Sequence, residues 1–173
     1  MTTRRRFLQV GVASAVVLAV AHRLDASQGS RAPVSGLRFL DSRSAPIVDA
    51  LVPVVLEGSL PADATSRALA RREVVEAFDR AVSGMSPAVR DEVDQLFGLL
   101  RFAPARLALG GLWEPVERAS AADVAAFLTR WRHSRFDLQR AAYQALTQLI
   151  QAAWLDNPLS WASTGYPGPP RLP

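Results

Sequence analysis

The 173-residue chain carries 20 basic and 16 acidic side chains, for a formal net charge of +4, and it contains two histidines and no cysteine. The lack of cysteine excludes disulfides, cysteine-ligated iron–sulfur clusters, covalently attached c-type haem and a thiol nucleophile. Since His22 and His133 are the only histidines, a histidine-rich metal site is also excluded, and we expect no cofactor in this chain.

The amino-terminal segment has the layout of a bacterial export signal. Residues 3–9 read TRRRFLQ, and a weakly apolar run follows directly. Arg4 and Arg5, followed by Phe7 and Leu8, match the address that the twin-arginine translocase reads. We therefore predict export by the twin-arginine route, with an ordinary secretory signal as the alternative.

The apolar run itself, residues 10–21, is short for a membrane anchor. Twelve helical residues extend about 18 Å, whereas the hydrocarbon core of a bilayer is about 30 Å thick. We predict a cleaved signal peptide over residues 1–21, with Ala21 preferred to Ala26 as the cleavage site. The mature protein is then expected in the periplasm.

Removing this signal changes the charge of the protein. Arg4, Arg5 and Arg6 leave with it, so about seventeen basic side chains remain against sixteen acidic ones. A net charge near +1 is a poor indication of nucleic-acid binding, even with the arginines of residues 130–140. Residues 22–35 are polar and without periodicity, which predicts a flexible linker.

Residues 36–155 predict an all-α fold, a single helical bundle of about five helices. The first helix is expected to be capped by Asp41 or Ser42 and to be kinked or ended by Pro53. The second is predicted over residues 64–83, with apolar residues on one face and charged residues, Asp79 among them, largely on another.

Three more helices complete the predicted bundle. Ser86 and Pro87 predict the start of the third, which Pro104 should stop, and the glycines at 110 and 111 should form a flexible connection. Ser120 opens the fourth, and the fifth is predicted over residues 136–154. No segment alternates long enough to predict a strand.

Residues 156–173 are rich in aromatic residues and proline, and they predict an extended tail. Such a segment fits a role in contacting a partner, because proline lowers the entropic cost of ordering and aromatic rings supply contact area. Packing of the tail on its own bundle is the open alternative. The predicted interface anchors are Trp154, Trp161, Tyr166, Pro167 and Pro169.

No combination of residues predicts catalysis. Asp91, Glu92 and Asp94 cluster where a helix begins, and carboxylates there stabilise the positive end of the helix dipole. His133 lies among arginines with no neighbouring carboxylate to orient it, which indicates a solvated basic helix end.

Several segments together resemble the small subunit of bacterial FAD-dependent dehydrogenases of the GMC type, the family that includes subunit 3 of gluconate 2-dehydrogenase. The similarity rests on the twin-arginine signal, on residues 39–41 (FLD) and 50–53 (ALVP) followed by Gly58 and Pro61, on a helical middle, and on residues 161–168 (WASTGYPG).

The resemblance implies a non-catalytic subunit that escorts a larger, folded flavoprotein through the twin-arginine translocase and stabilises it. FAD is then expected in the partner subunit. Whether a membrane cytochrome joins the complex as a further partner stays open. The alternative function is a free-standing periplasmic helical protein with a structural role or a small ligand.

Overall fold

A computed structural model describes residues 34–165, which form seven α helices and no strand. The all-α prediction is confirmed, but the predicted number of helices was too low. The predicted signal peptide and the chain beyond Gly165 lie outside the described residues. The helices are α1 (Ala45–Val55), α2 (Ala64–Ser83), α3 (Pro87–Arg101), α4 (Ala103–Gly110), α5 (Ala121–Arg132), α6 (Asp137–Leu155) and α7 (Pro158–Thr164).

Local capping explains why several helices begin where they do. Asp63, Ser86 and Ser120 each accept a hydrogen bond from a backbone N–H in the first turn of α2, α3 and α5. These bonds satisfy donors that have no partner within the helix itself. The predicted bounds of α2 agree with the observed ones at both ends.

Pro53 does not end α1, which continues to Val55. A neighbouring helix compensates for the N–H that proline lacks. The carbonyl of Asp49, four residues earlier, would normally accept that N–H. Instead it accepts a hydrogen bond from Arg71 Nη2 on α2 at 3.2 Å. Arg71 also holds the Asp49 carboxylate, with Nε–Oδ1 and Nη2–Oδ2 distances of 3.1 and 2.5 Å. This forked contact joins α1 to α2.

The third helix ends at Arg101, ahead of Pro104 as expected, but two elements of the second half of the chain were not predicted. Pro104 lies in the first turn of an additional helix, α4, where a missing N–H costs nothing. Residues 158–164 form α7 rather than an extended tail, because the Asn157 side chain caps the Leu159 N–H and Pro158 starts the first turn. Gly165 then ends α7 with φ of +69°.

The core lies where α2 and α6 pack against each other and against α1, with α5 closing the side between α1 and α6. Aromatic rings fill much of it. Phe78 and Phe97 meet edge to face at 6.2 Å between centroids, and Phe127 and Trp131 lie 4.6 Å apart. Between residues 34 and 165, no helix combines the length and apolar character needed to cross a bilayer.

Asp79 is a buried carboxylate that fixes the start of the domain. It is 1% exposed, contrary to its predicted place on the charged face of α2. Its Oδ1 accepts the backbone N–H groups of Phe39 and Leu40, and its Oδ2 accepts that of Arg38, at 2.7 to 2.8 Å. Three charge-assisted hydrogen bonds explain how a carboxylate is accommodated in the core. We call this contact the Asp79 clamp.

Candidate functional site

The predicted interface anchors fall into three groups. Trp154 is only 4% exposed and belongs to the core, so it has almost no surface to offer and is corrected from an interface anchor to a packing residue. Trp161 is half-buried on α7, and its indole N–H donates to the Leu155 carbonyl at 3.2 Å. Tyr166, Pro167 and Pro169 lie outside the described residues, as do Arg4, Arg5, Phe7 and Leu8 of the predicted signal.

A groove of about 380 Å³ lies between α2 and the junction of α6 with α7. Polar and charged residues supply much of its lining. Its walls are formed by Glu73, Glu76, Ala77, Arg80, Ala153, Asp156, Asn157, Pro158 and Leu159. The volume is in the range of small-molecule sites, which are usually lined by more apolar surface than this one.

Two of the three carboxylates of the groove, Glu73 and Glu76, have partners within the chain. Glu73 Oε2 accepts a hydrogen bond from Asn157 Nδ2 at 2.7 Å, which ties α2 to the start of α7. Glu76 Oε1 pairs with Arg72 Nε at 3.0 Å. The Glu73 bond therefore links two helices, the Glu76 pair lies within α2, and neither of these two carboxylates is free to act as a general acid or base.

Asp91 and Glu92 are exposed, but they lie in the second turn of α3, whose first turn holds no acidic residue, so the predicted interaction with the helix dipole is weakened. His133 is exposed at the end of α5, as its neighbours in sequence suggested. Among residues 34–165, no three histidine, aspartate or glutamate side chains are grouped closely enough to hold a metal ion.

Arg130, by contrast, is not simply a solvated cation, because it binds the end of α4. It donates from Nη1 to the Gly110 carbonyl. Trp131 Nε1 and Gln139 Nε2 both donate to the Leu109 carbonyl, at 3.1 and 2.9 Å. Side chains from α5 and α6 thus satisfy carbonyls at the end of α4, a junction that we call the α4 latch. The connection at Gly110, which we expected to be flexible, is held on both sides.

A buried guanidinium organises the loop that follows the α4 latch. Arg106 is 4% exposed and donates to the carbonyls of Leu100, Arg101 and Trp113 at 3.0, 2.6 and 3.4 Å. Burial lowers the pKa of Arg106, and the charge of Glu117 partly offsets that effect. The positive charge faces the carbonyl end of α3, where the helix dipole favours a cation.

Trp113 is the exposed residue that sequence reasoning missed. Its side chain is 78% exposed, the highest fraction among the large exposed hydrophobic residues of the described chain. It lies two residues after the Gly110–Gly111 pair and outside every predicted helix. Leu112 and Val116 share that segment and are buried, so no local signal distinguished Trp113 as the exposed residue.

Comparison of the chain with protein-family models, with curated protein sequences and with solved structures finds no match.

Proposed function

We propose that this chain is a non-catalytic small subunit of a periplasmic FAD-dependent dehydrogenase, and that it escorts the folded catalytic subunit through the twin-arginine translocase. The observation that carries the proposal is the pairing of Arg4 and Arg5, an address for folded cargo, with a small helical domain. In residues 34–165, no three histidine, aspartate or glutamate side chains are grouped closely enough to hold a metal ion. Folded export benefits a flavoprotein, because its cofactor is inserted before transport.

The geometry of the described residues supports a role in binding rather than chemistry. Glu73 and Glu76 of the groove are engaged with Asn157 and Arg72, while a large aromatic side chain, Trp113, is held out in solvent. Tryptophan is among the residues most enriched where proteins bind one another tightly. The resemblance to dehydrogenase small subunits supplies the nature of the partner.

Co-expression tests the escort function directly. The chain is produced together with the FAD-containing protein that co-purifies with it from its native host, and FAD-dependent dye reduction is measured in the periplasmic fraction. Deleting residues 1–21, or changing Arg4→Lys together with Arg5→Lys, should leave the flavoprotein in the cytoplasm. The matched control is Gln9→Lys, which keeps both arginines and should export normally. Equal periplasmic activity with and without residues 1–21 would defeat the proposal.

A free-standing periplasmic protein that binds a small ligand is the second candidate, and the groove of about 380 Å³ is the observation in its favour. Purification from the native host separates the two functions. A monomer that carries a small molecule and no flavoprotein supports ligand binding, whereas a complex with an FAD protein supports escort.

A further inference from the structure

Trp113 is held in solvent by the burial of its neighbours. Leu112 is 4% exposed and Val116 is fully buried, and both belong to the main core. These two side chains anchor the short segment against the bundle, and the indole between them lies on the solvent side. The other tryptophans of α5 and α6, Trp131 and Trp154, are 2% and 4% exposed.

The backbone around Trp113 is fixed as well. Arg106 Nη2 donates to the Trp113 carbonyl from beneath the loop. Gly111 adopts φ of +62°, and a Cβ atom there would lie 3.1 Å from Arg130 Nη1. A side chain presented on a fixed backbone loses less conformational freedom on binding than one on a loose loop.

Two further apolar side chains are exposed near the same end of the bundle. Phe136 and Leu138 are 47% and 66% exposed at the start of α6. Gln139, the next residue, donates to Leu109 in the α4 latch, which brings the start of α6 against the end of α4. Trp113 is four residues beyond Leu109, so a chain of at most about 15 Å connects them.

Positive charge accompanies these apolar groups. Residues 130–136 contain Arg130, Arg132 and Arg135 together with His133. Asp137, the next residue, is the one carboxylate of this turn, and it pairs with Arg140. The Arg130 guanidinium contacts the end of α4, and Arg135 lies over the Phe136 ring at 4.8 Å from its centroid. The Trp113 loop carries Glu114, Glu117 and Arg118, so the excess of positive charge lies mainly at the turn between α5 and α6.

We propose that Trp113, Phe136 and Leu138, with the arginines of residues 130–136, form the surface that docks the flavoprotein, here named the Trp113 surface. The complementary face of the partner has an apolar pocket for the indole, bordered by carboxylates that pair with the arginines. The inference rests on the proposed function and gives it a location. This surface lies at the start of α6, whereas Trp161 contacts the Leu155 carbonyl at its end. The two ends of that helix are about 27 Å apart.

The test measures affinity for the FAD-containing protein that co-purifies with the tagged wild-type chain. Trp113→Ala should weaken binding at least about 30-fold, as expected for a tryptophan at the centre of an interface. Arg132→Gln with Arg135→Gln should weaken binding less and make it less sensitive to salt. The matched control is Leu69→Ala, which removes a 51% exposed apolar side chain from α2 and should change affinity by less than about twofold.

A photoreactive side chain placed at position 113 or at position 69 gives a second readout. Crosslinking to the flavoprotein from position 113 alone supports the Trp113 surface. Wild-type affinity in Trp113→Ala overturns this inference and leaves the escort function standing, whereas absence of any flavoprotein overturns both. Concentration-dependent dimerisation that Trp113→Ala abolishes, measured by sedimentation velocity, would make the surface a contact between copies of this chain and would also overturn the inference.

Discussion

Gly110 allows α4 to approach α5 more closely than any other residue would. A Cβ atom at position 110 would lie 2.1 Å from both Cδ2 and Cε2 of Phe127. Phe127 is fully buried and packs against Trp131, so its ring has little space to move. Gly110→Ala must therefore separate the two helices or displace the ring, and either change disturbs the α4 latch.

The expected cost is that of an overpacked core. Such changes destabilise proteins by about 1–3 kcal/mol, and the short approach to a buried ring places Gly110→Ala near the upper limit. For a domain of about 150 residues this lowers Tm by roughly 5–10 °C. Urea unfolding followed by circular dichroism gives the free energy, and a thermal scan gives Tm.

Gly84→Ala is the matched control for this change. Gly84 ends α2 at φ of −80°, and the nearest atoms to an added Cβ are the carbonyl oxygens of Arg80 and Ala81 at 3.6 Å. This substitution should be neutral or stabilise the fold by about 0.4–1 kcal/mol. If Gly110→Ala and Gly84→Ala unfold at the same urea concentration, the close packing of α4 on Phe127 is refuted. The double variant Gly110→Ala with Phe127→Leu should recover part of the loss.

Two further predictions concern buried carboxylates. Asp79→Asn replaces one acceptor of the Asp79 clamp with an NH₂ group that faces a backbone N–H, and it should cost about 2–3 kcal/mol in urea unfolding. Glu76→Gln on the same helix should cost under about 1 kcal/mol, and equal effects would contradict the clamp. Burial raises the pKa of Asp41, but hydrogen bonds from Ser44 and Arg43 and the charge of Arg101 outweigh it and hold the pKa below its ordinary 3.8. The stability from Asp41 is therefore lost as pH falls below 3.8, and Asp41→Asn should flatten the acid dependence of Tm; an unchanged slope would refute this assignment.

Sequence reasoning succeeded where the determining interactions are local. The bounds of α2 follow from Asp63, which caps its first turn, and from Gly84, which follows its last residue. The start of α5 follows in the same way from Ser120. Each of these signals acts within three or four residues, so it can be read without knowing the rest of the fold.

It failed where an element is short or a contact is distant. α4 has eight residues, too few to establish an apolar period, although Pro104 at its start and Gly111 after its end were both visible. α7, with seven residues, was missed for the same reason.

Long-range contacts gave no local warning. Asp79 follows the spacing of a charged helix face, and it is buried because residues about forty positions earlier bring their N–H groups to it. Arg130 likewise resembles a solvated cation until the carbonyl of Gly110 is placed beside it. The exposure of Trp113 depends on the burial of Leu112 and Val116, which only the packed bundle determines.

The Asp79 clamp also has a mechanical consequence. Tension applied at residue 34 reaches Arg38, Phe39 and Leu40 before it reaches any helix. Within the described residues, the backbone N–H groups of these three residues donate to the Asp79 carboxylate. Asp79 lies within α2, which packs on both α1 and α6. A force applied at the amino-terminal end of the domain is therefore transmitted to the middle of the bundle. It does not act first on the start of α1, where it would unfold that helix progressively from one end.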